Sequence, residues 1–220
     1  MRFVREGGRV SAEQIEGRGA SGDGFCPSPD EGELRDRLRE ARAHAEGDPG
    51  EGLPLVASLC HELAWDLLDK GLLSDAEALV REELVAVRFL ATYDPETFLP
   101  NVADACENLA GILWEGGHPE EAEPLLREAL GCYRSLAAAD PGEDGLPALI
   151  PEAGSPMGAL ATILAEGGRV GEAEELFRGG LSMYAILSEA HPEREDFRLG
   201  EEAFRDGLAQ LSDTTIAHAS

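Results

Sequence analysis

CHELAWDLLDKG (residues 60–71), CENLAGILWEGG (106–117) and MGALATILAEGG (157–168) are three versions of one phrase, and their agreement decides the fold. Cys106 follows Cys60 by 46 positions, and Met157 follows Cys106 by 51. The agreement extends into SDAEALVREEL from Ser74, PEEAEPLLREAL from Pro119 and VGEAEELFRGGL from Val170. Ala76, Ala122 and Ala173 share one column; Leu84, Leu130 and Leu181 share another. A repeat of this length is a supersecondary unit that cannot bury its apolar face alone, so stacked neighbours must supply the core.

Each unit reads as two helices. In the first, apolar residues fall at helical spacing, as in Leu63, Ala64 and Leu67 or Leu109, Ala110 and Leu113. That helix stops at Lys70-Gly71, Gly116-Gly117 or Gly167-Gly168, where glycine tolerates a left-handed cap. The second helix starts near Ser74, Pro119 or Val170 with acids in its first turn, which the helix dipole favours. It ends before Asp94-Pro95, Asp140-Pro141 or His191-Pro192, because proline disfavours helix in the residue before it. Helix-turn-helix units in series imply an all-α fold, an α-solenoid of antiparallel helix pairs.

The columns resemble the tetratricopeptide repeat, whose signature runs from a large residue through Leu and a small residue to a later Ala, a large apolar residue and Ala. The first unit fills these slots with Cys60, Leu63, Ala64, Leu67, Ala76, Val80 and Glu83, the second with Cys106, Leu109, Ala110, Leu113, Ala122, Leu126 and Ala129. The third has Met157, Leu160, Ala161, Leu164, Ala173, Phe177 and Gly180. Two slots depart from the family. Cys, Cys and Met stand where Trp is frequent, and Glu83 replaces the last Ala. The displaced closing proline lengthens the second helix, which is similar to the long repeats of kinesin light chains and many bacterial repeat proteins. The resemblance implies a right-handed superhelix.

The organisation expected is therefore a disordered segment at 1–29 and a helical repeat domain at 30–212, followed by a flexible tail at 213–220. Within the domain, a partial repeat (30–47) precedes full repeats at 53–94, 99–140 and 146–191 and a capping helix at 193–212. Leu34 and Leu38 stand 46 positions before Val80 and Leu84, which marks ELRDRLREARAHAEG as the second helix of a decayed unit. Phe197, Phe204, Leu208 and Leu211 suit a cap over the last apolar face. The five extra residues before the third unit fall in DPGEDGLPALIPEAGSP (140–156).

Cys106, beside Asp104 and Glu107, occupies the slot of Cys60 and Met157. A position shared by Cys and Met calls for soft apolar volume, and acids oppose thiolate formation. Cys26, Cys60, Cys106 and Cys132 form no C-x-x-C pair, so they read as reduced thiols rather than a zinc or redox site. HELAW at 61–65 begins like a zincin helix but has Trp65 where the second His ligand must stand. No phosphate-binding glycine motif is present, and no Ser, His and Asp set is placed by any motif. The expectation is a non-enzymatic protein without cofactor or metal.

Against 18 Lys and Arg stand 44 Asp and Glu, a formal charge of -26, with Lys70 the only lysine. Such a field repels nucleic acid and anionic bilayers and favours a partner rich in Arg or Lys. With no apolar leader in MRFVREGGRVSAEQ and no window of 18 apolar residues, a cytoplasmic protein is expected. In related proteins the free positions of the first helix line a concave groove. Carried over, these give His61, Trp65 and Asp69 from the first unit and Asp104, Glu107, Trp114 and Glu115 from the second. Aromatic anchors rimmed by acids suit a cationic peptide, although both tryptophans also fit packing between repeats. The expected role is a scaffold or adaptor that binds a partner segment there. The alternative is an acidic regulator that masks a basic partner by charge mimicry.

Overall fold

The computed structural model describes residues 30–139 and 151–218, with side chains through Ser212. The expected disordered segment at 1–29, Cys26 within it, and positions 140–150 of the insertion lie outside the described residues. Eight α-helices follow one another among the described residues. They are α1 (Glu31–Gly47), α2 (Pro49–Asp69), α3 (Leu73–Ala91), α4 (Pro95–Glu115), α5 (Pro119–Ala139), α6 (Gly154–Glu166), α7 (Val170–Ala190) and α8 (Glu195–His218). Each packs chiefly against its neighbours in the chain, and one 3-10 turn, Pro151–Ala153, leads into α6. Helix pairs stacked in series form an α-solenoid.

The three turns within the pairs share one geometry. Gly71, Gly117 and Gly168 have φ of 75°, 82° and 78°. At the first, the Gly71 N–H donates to the Leu68 carbonyl and the Leu72 N–H to the Leu67 carbonyl, both at 2.9 Å. His118 to Leu113 and Arg169 to Leu164 repeat the second bond at 2.8 Å. These paired bonds close the helix end as a Schellman motif, which requires the left-handed residue glycine supplies.

Between pairs, Asp-Pro does more than end a helix. The carboxylates of Asp48 and Asp94 accept hydrogen bonds from the Glu51 and Thr97 backbone N–H groups at 3.2 and 3.1 Å. Pro49 and Pro95 then stand at the first helical position, where no N–H is needed. The first helices therefore begin at Pro49 and Pro95, four residues before the starts read from the sequence. At the other end, α8 continues to His218 through the stretch expected to be a loose tail. No Gly or Pro occurs in DTTIAH to stop it.

The apolar columns become the core. Cys60, Leu67, Ala76, Ala103, Cys106, Ala122, Ala129, Ala161 and Ala173 are fully buried or within 1% of it. Leu63, Leu109 and Leu160 are each 1% exposed, which stabilises the stack by roughly 1.5–3 kcal/mol per leucine. Burial pushes the Cys60 and Cys106 thiols up to about 12, so both are protonated space-fillers. At the C-terminal end, Phe197, Phe204 and Leu211 of α8 are buried at a spacing of seven. The Phe204 ring lies 6.1 Å from that of Phe177 and 5.7 Å from that of Tyr184. Gly180 leaves room for it: a Cβ there would stand 2.1 Å from Phe204.

Candidate interaction face

The cations are distributed unevenly. Neither lysine nor arginine occurs anywhere in α2, α4 or α6, the first helices of the three pairs. The arginines of the second helices instead form a ladder between repeats. Arg42 of α1 donates to Glu82 of α3 at 2.7 Å, and Arg88 of α3, 46 positions on, donates to Glu128 of α5 at 2.8 Å. A second rung pair joins Arg81 to Glu121 at 3.1 Å and Arg127 to Glu172 at 3.2 Å, and Arg169 adds a link to Glu123 at 2.8 Å. The guanidinium groups thus neutralise carboxylates of the second helices, whereas no Lys or Arg lies within the first helices, where Asp66 is paired with Lys70 at the cap of α2, at 2.5 Å.

On that first-helix side, a polar chain crosses the repeats. The Trp65 indole N–H donates to His61 Nε2 at 3.0 Å, and His61 Nδ1 contacts Glu83 Oε1 at 3.0 Å. An imidazole that accepts at Nε2 carries its proton on Nδ1, so it donates to Glu83. The bond to Glu83 raises the His61 pKa against burial, with smaller contributions from Glu83's charge, Asp104 and Glu62. In the next repeat the Tyr133 hydroxyl donates to Glu107 Oε1 at 2.9 Å. Burial pushes Glu107 up to about 7; hydrogen bonds from Ser155 and Tyr133 resist, and the charges of Asp104 and Glu152 add to the rise. Asp104 is exposed overall, yet desolvation of its carboxyl raises its pKa. His61 and Tyr133 oppose the rise, and Glu83 and Glu152 reinforce it.

The seven residues singled out in the sequence thus separate into groups. His61, Trp65, Asp104 and Glu107 belong to one electrostatic neighbourhood spanning α2 and α4. Asp69 and Glu115 are exposed at the ends of those helices. Trp65 is 37% exposed, whereas Trp114 is half-buried and packs against the core.

Sequence reading passed over Tyr133 and Glu152 and treated Glu83 as a blemish. Its signal was the slot, where Glu83 replaces the small residue that Ala129 and Gly180 supply. Glu83 is the one buried charged residue among the described residues, 5% exposed, and its Oε2 has no hydrogen-bond partner within the protein.

Among the described residues, no set of three His, Cys, Asp or Glu side chains is placed to share a metal ion, and no helix is long and apolar enough to cross a membrane. A separate crevice is lined by Arg35, Leu38, Arg39, Arg42, Leu63 and Leu79. Its arginines already pair with Glu31, Asp36 and Glu82.

A tetratricopeptide-repeat family model matches residues 102–140, which cover most of α4 and all of α5. No curated protein matches the sequence. Among solved structures, one similar to this chain is that of nearly identical TPR-like repeats from a Podosopora anserina protein assigned as a kinesin light chain. It is 19% identical with a TM-score of 0.44, over 83% of this chain and 98% of that one. A point variant of the same protein is 18% identical with a TM-score of 0.45, over 85% and 100%. A de novo designed helical repeat protein is 15% identical with a TM-score of 0.36, over 84% and 93%.

Proposed function

We propose that this array of tetratricopeptide-type repeats is a non-enzymatic scaffold or adaptor whose first-helix face binds a cationic segment of a partner protein in the cytoplasm. Tetratricopeptide repeats are protein-interaction modules. The observation that carries the finer reading is the segregation of charge. Arginines tie the second helices together, while α2, α4 and α6 offer acids and the half-exposed Trp65 with no Lys or Arg among them. Such a face attracts a segment bearing Arg or Lys and repels a carboxylate. The buried free thiols Cys60, Cys106 and Cys132 suit a reducing compartment. Charge mimicry is the weaker reading, because the ladder already neutralises many of the outer carboxylates it would require.

Fluorescence anisotropy with labelled Arg-Gly, citrulline-Gly and Glu-Gly repeat peptides tests the proposal. The Asp69→Asn/Glu115→Gln protein changes the face; Glu175→Gln/Asp206→Asn makes the same charge change on α7 and α8, at exposed positions elsewhere. Binding of the Arg-Gly peptide alone, weakened by the first pair of substitutions and within about two-fold of the original in the second, is expected. Equal weakening by both pairs would assign binding to the diffuse field and overturn the reading.

A further inference from the structure

Within that face, and resting on its assignment as a cation-binding surface, we propose that Glu83, Asp104 and Trp65 form a seat for a single arginine side chain of the partner, with His61 holding Glu83 and Trp65 in place.

The slot is the starting point. Ala129 and Gly180 occupy the positions equivalent to Glu83, and Ala129 is fully buried, so packing in this column asks for a small apolar residue. A carboxylate there is expensive, since a buried charge is desolvated and is offset only by donors. Glu83 has one such donor, His61 Nδ1, while Oε2 is buried with no hydrogen-bond partner from the protein. His61 has no second proton for it, because Nε2 is occupied as the acceptor of the Trp65 indole N–H. No basic residue of α2 or α4 stands in reserve. Among the described residues no side chain completes Glu83 Oε2, which leaves the position open to a donor that a partner brings.

Three features select a guanidinium as that donor. A guanidinium presents donors along several edges of one plane, so it can bond Glu83 Oε2 along one edge and the Asp104 carboxylate along another. Asp104 is exposed and interacts electrostatically with both Glu83 and His61, which places it at the opening rather than in the interior. The third is the Trp65 indole, held edge-on to the His61 ring with centroids 6.1 Å apart and an interplanar angle of 66°. A planar cation stacks on such an indole, whereas a compact ammonium gains less from stacking and has no fork to span two carboxylates. A divalent metal is disfavoured, since no three ligands converge among the described residues.

The seat has an unusual energetic signature: removing Glu83 is expected to leave the fold intact or improve it, while abolishing recognition. The experiment follows the Trp65 and Trp114 indole N–H resonances by 1H-15N correlation spectroscopy. N-acetyl-arginine amide, N-acetyl-lysine amide and N-acetyl-citrulline amide are titrated into the full chain and into its Glu83→Gln and Glu83→Ala forms. Alanine is the residue the second repeat carries in this slot, so at least one variant keeps its packing. A saturable shift of the Trp65 resonance with the arginine compound is expected, weaker with lysine and absent with citrulline. Its midpoint should move at least about ten-fold in both variants, as loss of a charge-assisted bond requires.

No saturable movement of Trp65 with the arginine compound would overturn the seat. So would an equal response to citrulline, or variants that bind arginine as the unaltered protein does, the result expected if water alone completes Oε2. If the variants bind arginine normally while Asp69→Asn/Glu115→Gln still loses the Arg-Gly peptide, the seat falls and the face stands. If the unaltered chain binds neither probe, both fall.

Discussion

Replacing Glu107 by glutamine should stabilise the protein increasingly as pH rises from about 4.5 to about 7, and not below that interval. Burial against α5 and α6 pushes this carboxyl from 4.5 up to about 7, although Tyr133 and Ser155 donate to it. A group whose pKa is higher folded than unfolded favours the fold fully below its unfolded pKa. That contribution is then lost as pH rises through the folded value. For Glu107 the loss occupies the interval from about pH 4.5 to about pH 7. A displacement of this size corresponds to an upper bound of about 3 kcal/mol, at 1.36 kcal/mol per pH unit. Glu107 retains some exposure, which screens the charge, so about 1–2 kcal/mol is the gain expected in Glu107→Gln above pH 7. The amide oxygen still accepts from the Tyr133 hydroxyl, so little should change at about pH 4, where the native side chain is already neutral. Urea unfolding of both proteins across this range measures the difference directly. Contributions from His61 and Asp104, present in each, largely cancel. Parallel stability curves, or a glutamine form less stable at high pH, would refute the argument.

Four other outcomes follow from the same structure. Protonation of His61 at Nε2 must release the Trp65 indole N–H, and the Glu83 bond raises the pKa; the Trp65 resonance should titrate with a midpoint above 6.5, and one at or below 6.5 would contradict this. Gly180→Ala forces Phe204 aside and should cost about 1–3 kcal/mol in thermal or chemical unfolding. Gly131→Ala in α5, where a Cβ meets nothing within 4 Å, should gain about 0.5–1 kcal/mol; equal effects at the two sites would be inconsistent with the packing. Cys60 and Cys106, buried with thiols pushed up to about 12, should resist a disulfide reagent at neutral pH until the chain unfolds. Rapid labelling of either in the native protein would count against their role as filler.

How much was legible in advance depended on whether a residue's role repeats. Leu63, Leu109 and Leu160 announce the core because each column shows the same choice three times, and Gly71, Gly117 and Gly168 announce the turns likewise. Trp65 and Trp114 each directly follow a buried core residue, Ala64 and Leu113, but they stand 49 positions apart rather than 46, so they hold different slots, whose equivalents are Gly111 and Leu68. Their exposure follows the slot: Trp65 is 37% exposed, whereas Trp114 packs against the core. Asp48-Pro49 and Asp94-Pro95 were read only as helix stops, although the same dipeptide also caps and starts the next helix. Glu83 was visible as an exception, but its partner His61 lies 22 positions away on another helix, and periodicity carries no information about such a pair.

The Asp-Pro junctions make the array a set of exchangeable cassettes. Cutting before Pro49 and before Pro95 and rejoining the ends would leave Asp48 followed by Pro95, a junction with the same two residues as before. Arg42 would then face Glu128, which occupies the register of its present partner Glu82. Unequal recombination at these points therefore changes the number of repeats without requiring a new joint or a new ion pair. His61, Trp65 and Glu83 all lie between the two cuts and would be gained or lost together, whereas Asp104 stays on α4, so one recombination event would remove or supply every member of the arginine seat but that carboxylate.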